Sequence, residues 1–220
     1  MTRRALVIGC GGTIGGAWVV AALDALRREI GSEPADFDVL QGTSCGAELV
    51  TMLGGGASLD DLLAMQRGEV TDPRLRAHLA DTPRSFPSLP LPRPLNPRLL
   101  RTQSGLAALT GIAPTGRVDA GWLQRLADGF AAADGWLPHS DVRMVAFDVD
   151  RGERVVFGAP GSPPAGAGEA LRASWGIPGW MPPVTIGGHR YVDGGVRSTA
   201  SVDLISPRDA DIIYVIAPMA

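Results

Sequence analysis

Residues Asp38-Val39-Leu40-Gln41-Gly42-Thr43-Ser44-Cys45-Gly46-Ala47 constrain this chain more than any other stretch. A short apolar strand runs into Gly-x-Ser-x-Gly, and the apolar, helix-compatible run Ala47 to Leu53 follows. A strand, a sharp turn with serine at its tip and a helix make a nucleophile elbow. Gly42 and Gly46 suit it because the turn brings neighbouring backbone so close that a Cβ would clash. The helix aims its N-terminal N–H groups at the serine, where they favour developing negative charge. The same pattern also fits an ordinary glycine-flanked loop in a chain with 29 glycines, so the surroundings decide.

Upstream, Ala5-Leu6-Val7-Ile8 is an all-apolar run, as expected for a strand buried on both faces of a parallel sheet. It enters Gly9-Cys10-Gly11-Gly12-Thr13-Ile14-Gly15-Gly16, and a helix is expected over Ala17 to Arg28. Strand, glycine loop and helix form an anion-binding unit. A dinucleotide fingerprint needs Gly-x-Gly-x-x-Gly, but the sixth position from Gly9 is Ile14. Nor does a strand lead to Asp36, since that segment is polar and contains Pro34. An oxyanion hole built from the N–H groups of Gly11 and Gly12, with Cys10 as a further donor, fits better.

The length of 220 residues suits one domain with one sizeable core. A net charge of −3 without a basic stripe argues against a nucleic-acid partner. Cys10 and Cys45 read as small buried thiols in a reducing compartment. Met1-Thr2-Arg3-Arg4 imitates an export signal, yet only Ala5 to Ile8 separate the arginines from Gly9. No apolar run reaches the length of a membrane span, so a cytoplasmic protein is expected. No cluster of metal ligands stands out, and neither metal nor cofactor is expected.

Downstream, Ser58 to Met65 reads as a helix capped by Ser58, with Asp61 in its first turn. The Pro-rich stretch Thr82 to Pro97 excludes helix and central strand and reads as an extended cover. Helices are expected at Pro97 to Leu109, Ala120 to Ala133 and Gly168 to Trp175. Val142 to Asp148 is a core strand that pairs with Arg154 to Phe157. Val184-Thr185-Ile186 turns through Gly187-Gly188 into His189-Arg190-Tyr191-Val192 and delivers Asp193-Gly194-Gly195. Ile212 to Ile216 is expected as a buried strand.

A serine hydroxyl needs a base. Of three histidines, His78 lies among arginines and is expected on the surface, and His139 is expected in a loop. His189 with Asp148 gives the Ser, Asp, His order of an α/β-hydrolase, although that fold's elbow follows more strands than Ser44 does. The alternative is Asp193, at a strand end where Gly194 and Gly195 allow close backbone approach. A desolvated carboxylate can take the serine proton directly.

Taken together, these segments resemble the patatin-like phospholipase family. The resemblance rests on Leu6 to Gly15, Gly42-Thr43-Ser44-Cys45-Gly46, Ala173-Ser174-Trp175-Gly176-Ile177-Pro178-Gly179 and Tyr191-Val192-Asp193-Gly194-Gly195-Val196. It covers roughly 5 to 55 and 142 to 218, while a variable cover region occupies about 82 to 140. It implies a three-layer α/β/α sandwich with a mostly parallel central sheet, and a Ser44–Asp193 dyad without histidine. Gly9, Gly15, Gly42, Gly46, Gly194 and Gly195 fall at the family's supporting glycines. Cys10 replaces the first of three successive glycines, Ile14 a common cation, and Thr199 and Ser201 a common Asn and Pro. Members usually run a helix or more beyond a strand like Ile212 to Ile216, which implies a shortened end here.

The expected activity is that of a serine esterase or lipid acyl hydrolase acting on phospholipid, lysophospholipid or another acyl ester. Such a substrate leaves room for peripheral membrane contact. Trp175, Ile177, Trp180 and Met181 are candidates for an acyl pocket, or for the core. An acyltransferase using the same acyl-enzyme remains open, as does a non-catalytic module that binds a dinucleotide or an acyl group.

Overall fold

The computed structural model describes residues 2–83 and 89–219. Every run expected as a strand forms one. In chain order the elements are β1 (Arg4–Ile8), α1 (Gly12–Ile30), β2 (Val39–Thr43), α2 (Cys45–Gly54), α3 (Leu59–Arg67) and α4 (Pro73–Asp81). Next come β3 (Leu91–Pro94), α5 (Leu99–Thr102), α6 (Gly105–Thr110), β4 (Pro114–Thr115) and α7 (Gly121–Phe130). The last are β5 (Val142–Asp148), β6 (Glu153–Phe157), α8 (Ala167–Ser174), β7 (Val184–Ile186), β8 (His189–Asp193) and β9 (Ile212–Ile216).

A seven-stranded sheet organises the chain, and β3 and β4 form a separate pair. β1 is parallel to β2 and β9, and β2 is parallel to β5. β5 is antiparallel to β6 and β8, and β8 to β7. Five strands therefore share one direction, and the sheet is mixed but mostly parallel. The side-chain period of two sorts β1 between two cores. Leu6 and Ile8 join the main cluster with residues of α1, α2, α7 and α8, while Ala5 and Val7 meet Ile205 and Ala210. Helices thus cover one face thickly. The other face carries only α5 and α6 over β5 and β8, and the 200–210 loop over β1 and β2.

Several boundaries differ from expectation. The glycine loop is mostly helix, because α1 already begins at Gly12. Two of its glycines serve close packing: a Cβ on Gly11 would lie 2.6 Å from Pro218 Cγ, and one on Gly15 3.2 Å from the same atom. The unforeseen α4 starts at an Asp-Pro pair, with Asp72 accepting from the N–H groups of Arg74 and Leu75. The single helix expected from Pro97 to Leu109 splits into α5 and α6, with Gly105 at φ 58° where the second begins. Part of the Pro-rich stretch, residues 84–88, lies outside the described residues. β9 is an edge strand rather than a buried one: it pairs with β1, and Ile212, Ile213 and Val215 are exposed. Among the described residues, no helix is long and apolar enough to cross a membrane.

Candidate active site

One edge of β5 brings the site together. β6 runs along the other edge, from Met144 opposite Phe157 to Asp148 opposite Glu153. The site edge is shared in succession. β2 pairs with it as far as Thr43 opposite Val145, and β8 takes over at the next residue, with Asp193 opposite Ala146. β2 and β8 run in opposite directions, so their C-terminal ends meet head to head. The residue after Thr43 is Ser44, and the last residue of β8 is Asp193.

Ser44 occupies the strained turn of an elbow, at φ 58° and ψ −122°. A Cβ on Gly42 would lie 2.3 Å from the Gly46 carbonyl oxygen, and one on Gly46 2.1 Å from that of Ile8. Only glycine fits either position. Ser174, at the end of α8, pins the turn: its hydroxyl donates to the Val145 carbonyl at 2.7 Å and accepts from the Ser44 N–H at 3.0 Å. The neighbouring Gly176 carbonyl accepts from the Asp193 N–H at 3.0 Å.

Burial pushes the Asp193 carboxyl up from 3.8 to about 6, against the lowering effect of the Ser44 hydroxyl and Gly195 N–H that donate to it. The Gly195 bond measures 2.8 Å. A Cβ on Gly194 would meet the Val145 carbonyl oxygen at 2.7 Å, and one on Gly195 the Asp193 carboxylate and Cys10 Sγ at 3.0 Å. Both sequence-expected partners, Ser44 and Asp193, are buried and in contact.

Gly11 caps α1 and Gly12 opens it, and neither N–H has an acceptor among the described residues. Cys10 differs from expectation as a third donor, because its N–H already donates to the Thr199 carbonyl at 2.8 Å. Its thiol is pushed up to about 11 by burial and by Asp193. Burial with the charge of Glu48 pushes Cys45 up to about 12. Both thiols are buried, free and neutral at physiological pH. Gly9 approaches Thr199, where a Cβ would lie 2.8 Å from the carbonyl oxygen. Ile14 is exposed in the first turn of α1.

The histidine alternative fails on distance. His189 stands four residues before Asp193 on the same strand, about 13 Å away at the usual rise. Its Nδ1 lies 3.4 Å from Asp148 instead. Asp148, Asp150 and His189 bring ligand atoms within 4.8 Å of one another, a grouping that was not expected, but Arg190 already binds Asp150. His139 is structural, bonded to the Phe37 carbonyl at 2.8 Å.

His78 is buried, contrary to expectation, because α4 folds it against α2 and α7. Its Nε2 meets Glu48 Oε1 at 2.8 Å, and Trp175 Nε1 donates to Glu48 Oε2 at 2.9 Å. Glu48 follows Ser44 by one helical turn. The sequence signal for it was an acidic residue within an apolar helix; Ser174 lay inside the Ala173–Gly179 motif with no role read for it, and nothing local marked His78 as buried.

Beside the elbow, a cavity of about 170 Å³ opens between α1, α2, α3 and α4. Gly12, Cys45, Glu48, Met52, Met65 and His78 are among its lining residues. None of the four expected acyl-pocket residues lines it. Trp175 and Met181 belong to the main core, Ile177 packs partly buried against it, and Trp180 is half exposed. Glu48 and His78 are the neighbours that sequence reasoning passed over, and Ser174 is one that it quoted without a role.

A model of the patatin-like phospholipase family matches residues 6–205. A search of curated proteins gives no significant match. Among solved structures, the fold is similar to that of VipD from Legionella pneumophila, with a TM-score of 0.52 and 14% identity. That superposition covers 98% of this chain and 49% of VipD, so the chain spans about half of that protein's length.

Proposed function

The chain belongs to the patatin-like phospholipase family, and from that membership we propose that it cleaves carboxylic esters through an acyl-serine on Ser44. The observation that carries this reading is the meeting of β2 and β8 on one edge of β5, which joins the Ser44 hydroxyl to a buried carboxylate. A carboxyl raised to about 6 is mostly ionised at neutral pH yet basic enough to take a proton in the transition state.

Asp193 takes the Ser44 proton as the oxygen attacks the ester carbonyl. The tetrahedral oxyanion is stabilised by the free N–H groups of Gly11 and Gly12 and by the N-terminal dipole of α1. Collapse breaks the ester bond, and the alcohol leaves with the proton held by Asp193. Water then gives a proton to Asp193 and attacks the acyl-serine, releasing the acid and restoring the hydroxyl. The cavity beside Gly12 and Cys45 receives the acyl group. Phospholipid, lysophospholipid and simpler acyl esters all present the carbonyl this chemistry requires.

Incubation with a fluorophosphonate ester tests the reading. A covalent adduct on Ser44, absent from Ser44→Ala, is the expected outcome, together with hydrolysis of short nitrophenyl esters that Asp193→Asn abolishes and His189→Ala retains. An unlabelled Ser44, or full activity in Asp193→Asn, refutes it.

A further inference from the structure

Residues 82 to 118 contain five arginines and not one aspartate or glutamate, although the whole chain has 23 acidic residues against 20 basic ones. Spread over 37 residues, the arginines form no stripe in the sequence. The segment is distinguished by the absence of acid. Its fold adds a second peculiarity. Leu95, Leu99 and Ala107 point inward onto Phe147, Val149 and Val192. The outward side is apolar as well: Leu91, Leu100, Leu106, Leu109 and Ile112 are each between 42% and 66% exposed. Leu106 and Leu109, three apart, share one face of α6.

Arg93, Arg98, Arg101 and Arg117 are exposed and make no ion pair among the described residues. Outside this segment seven arginines form ion pairs among the described residues, as at Arg27, Arg125, Arg154 and Arg190, and eight do not, so the segment differs in having no acid beside its arginines rather than in leaving them unpaired. Exposed leucines among unpaired arginines give a surface that inserts aliphatic side chains and attracts negative headgroups. A protein partner's hot spots favour Trp, Tyr and Arg and under-represent Leu, and no aromatic residue lies among the described residues of this segment. The inner side of this layer reaches the catalytic strand, since α6 packs against the 194–196 turn that follows Asp193.

We propose that the outer face of α5, α6 and the β3–β4 pair docks this protein on an anionic lipid surface. The inference goes beyond ester hydrolysis, since docking needs no chemistry at Ser44. The test sediments the Ser44→Ala protein with vesicles of phosphatidylcholine alone and of phosphatidylcholine mixed with phosphatidylglycerol. Binding is expected to the mixed vesicles and to weaken with salt. Arg98→Ala with Arg101→Ala lowers partitioning about thirtyfold, at about 1 kcal/mol per arginine. Leu106→Ser with Leu109→Ser, both at exposed positions, lowers it about tenfold or more.

Equal binding to both vesicle types, no binding, or undiminished binding by these variants overturns the proposal. So does self-association that Leu106→Ser with Leu109→Ser abolishes, which would assign the face to a second copy. Fluorophosphonate labelling of the wild-type protein separates the two readings. Vesicle binding without labelling supports docking and refutes the esterase, and labelling without vesicle binding does the reverse.

Discussion

The burial that would make Asp193 the base of the proposed reaction also carries a cost to the fold. Burial raises its carboxyl from 3.8 to about 6, so between those values the unfolded chain has released a proton that the folded chain keeps. Stability is therefore lost as pH rises through that window, on the order of 3 kcal/mol above pH 6. Asp193→Asn removes the cost: its urea midpoint is expected to exceed that of the wild type at pH 8, and the gain to vanish near pH 4. The same ionisation controls the base. In the wild type, kcat/KM for a short ester is expected to level off above about pH 6 and to fall about tenfold per pH unit below it. A flat profile between pH 5 and 7 would mean that Asp193 is not the group that titrates. Both members of the proposed dyad were legible in the sequence because each stands beside glycines that a close backbone approach requires. Ser174, Glu48 and His78 were not, since their roles arise from contacts 30 to 130 residues away along the chain.

At the scale of elements, the site depends on where β2 stops and β8 starts. Ser174 stands at that junction and satisfies one polar group from each side of it, the Ser44 N–H and the Val145 carbonyl. Ser174→Ala leaves both groups buried without that hydroxyl. It is expected to cost about 2 kcal/mol in urea unfolding and to slow fluorophosphonate labelling of Ser44, because the elbow loses its anchor to β5. Unchanged labelling with reduced stability would show that the turn holds its strained geometry without Ser174. The strands were readable because short runs dominated by apolar residues, such as Ala5 to Ile8 and Ile212 to Ile216, allow little else. What misled was context. β9 is as apolar as a central strand but lies at the sheet edge, and α4 is polar enough to pass for a loop until its Asp-Pro start is weighed.

Across the whole molecule, the two faces of the sheet are held by different means. Six helices pack one face through a continuous apolar cluster, whereas the 200–210 loop on the other relies on a few buried polar groups. Gln41 Nε2 donates to the Ser201 carbonyl at 2.9 Å, and the buried Arg143 on β5 binds Asp141 at 2.7 Å and Asp209 at 2.9 Å. This layer also supplies Thr199, whose carbonyl fixes Cys10 just before the oxyanion glycines. Bonding to Arg143 holds the Asp209 carboxyl well below its ordinary 3.8. Its contribution to stability is therefore complete above pH 4 and is lost as pH falls further, opposite in sign to that of Asp193. Asp209→Asn is expected to lower stability by about 1–2 kcal/mol at pH 7, partial exposure tempering the larger cost of breaking a buried pair. That deficit shrinks only below pH 4, whereas the gain in Asp193→Asn has already shrunk away between pH 6 and pH 4. Denaturation of both variants from pH 8 down to pH 2 checks this, and a deficit in Asp209→Asn that does not diminish at all between pH 4 and pH 2 would mean that the outer layer is not held by its charge.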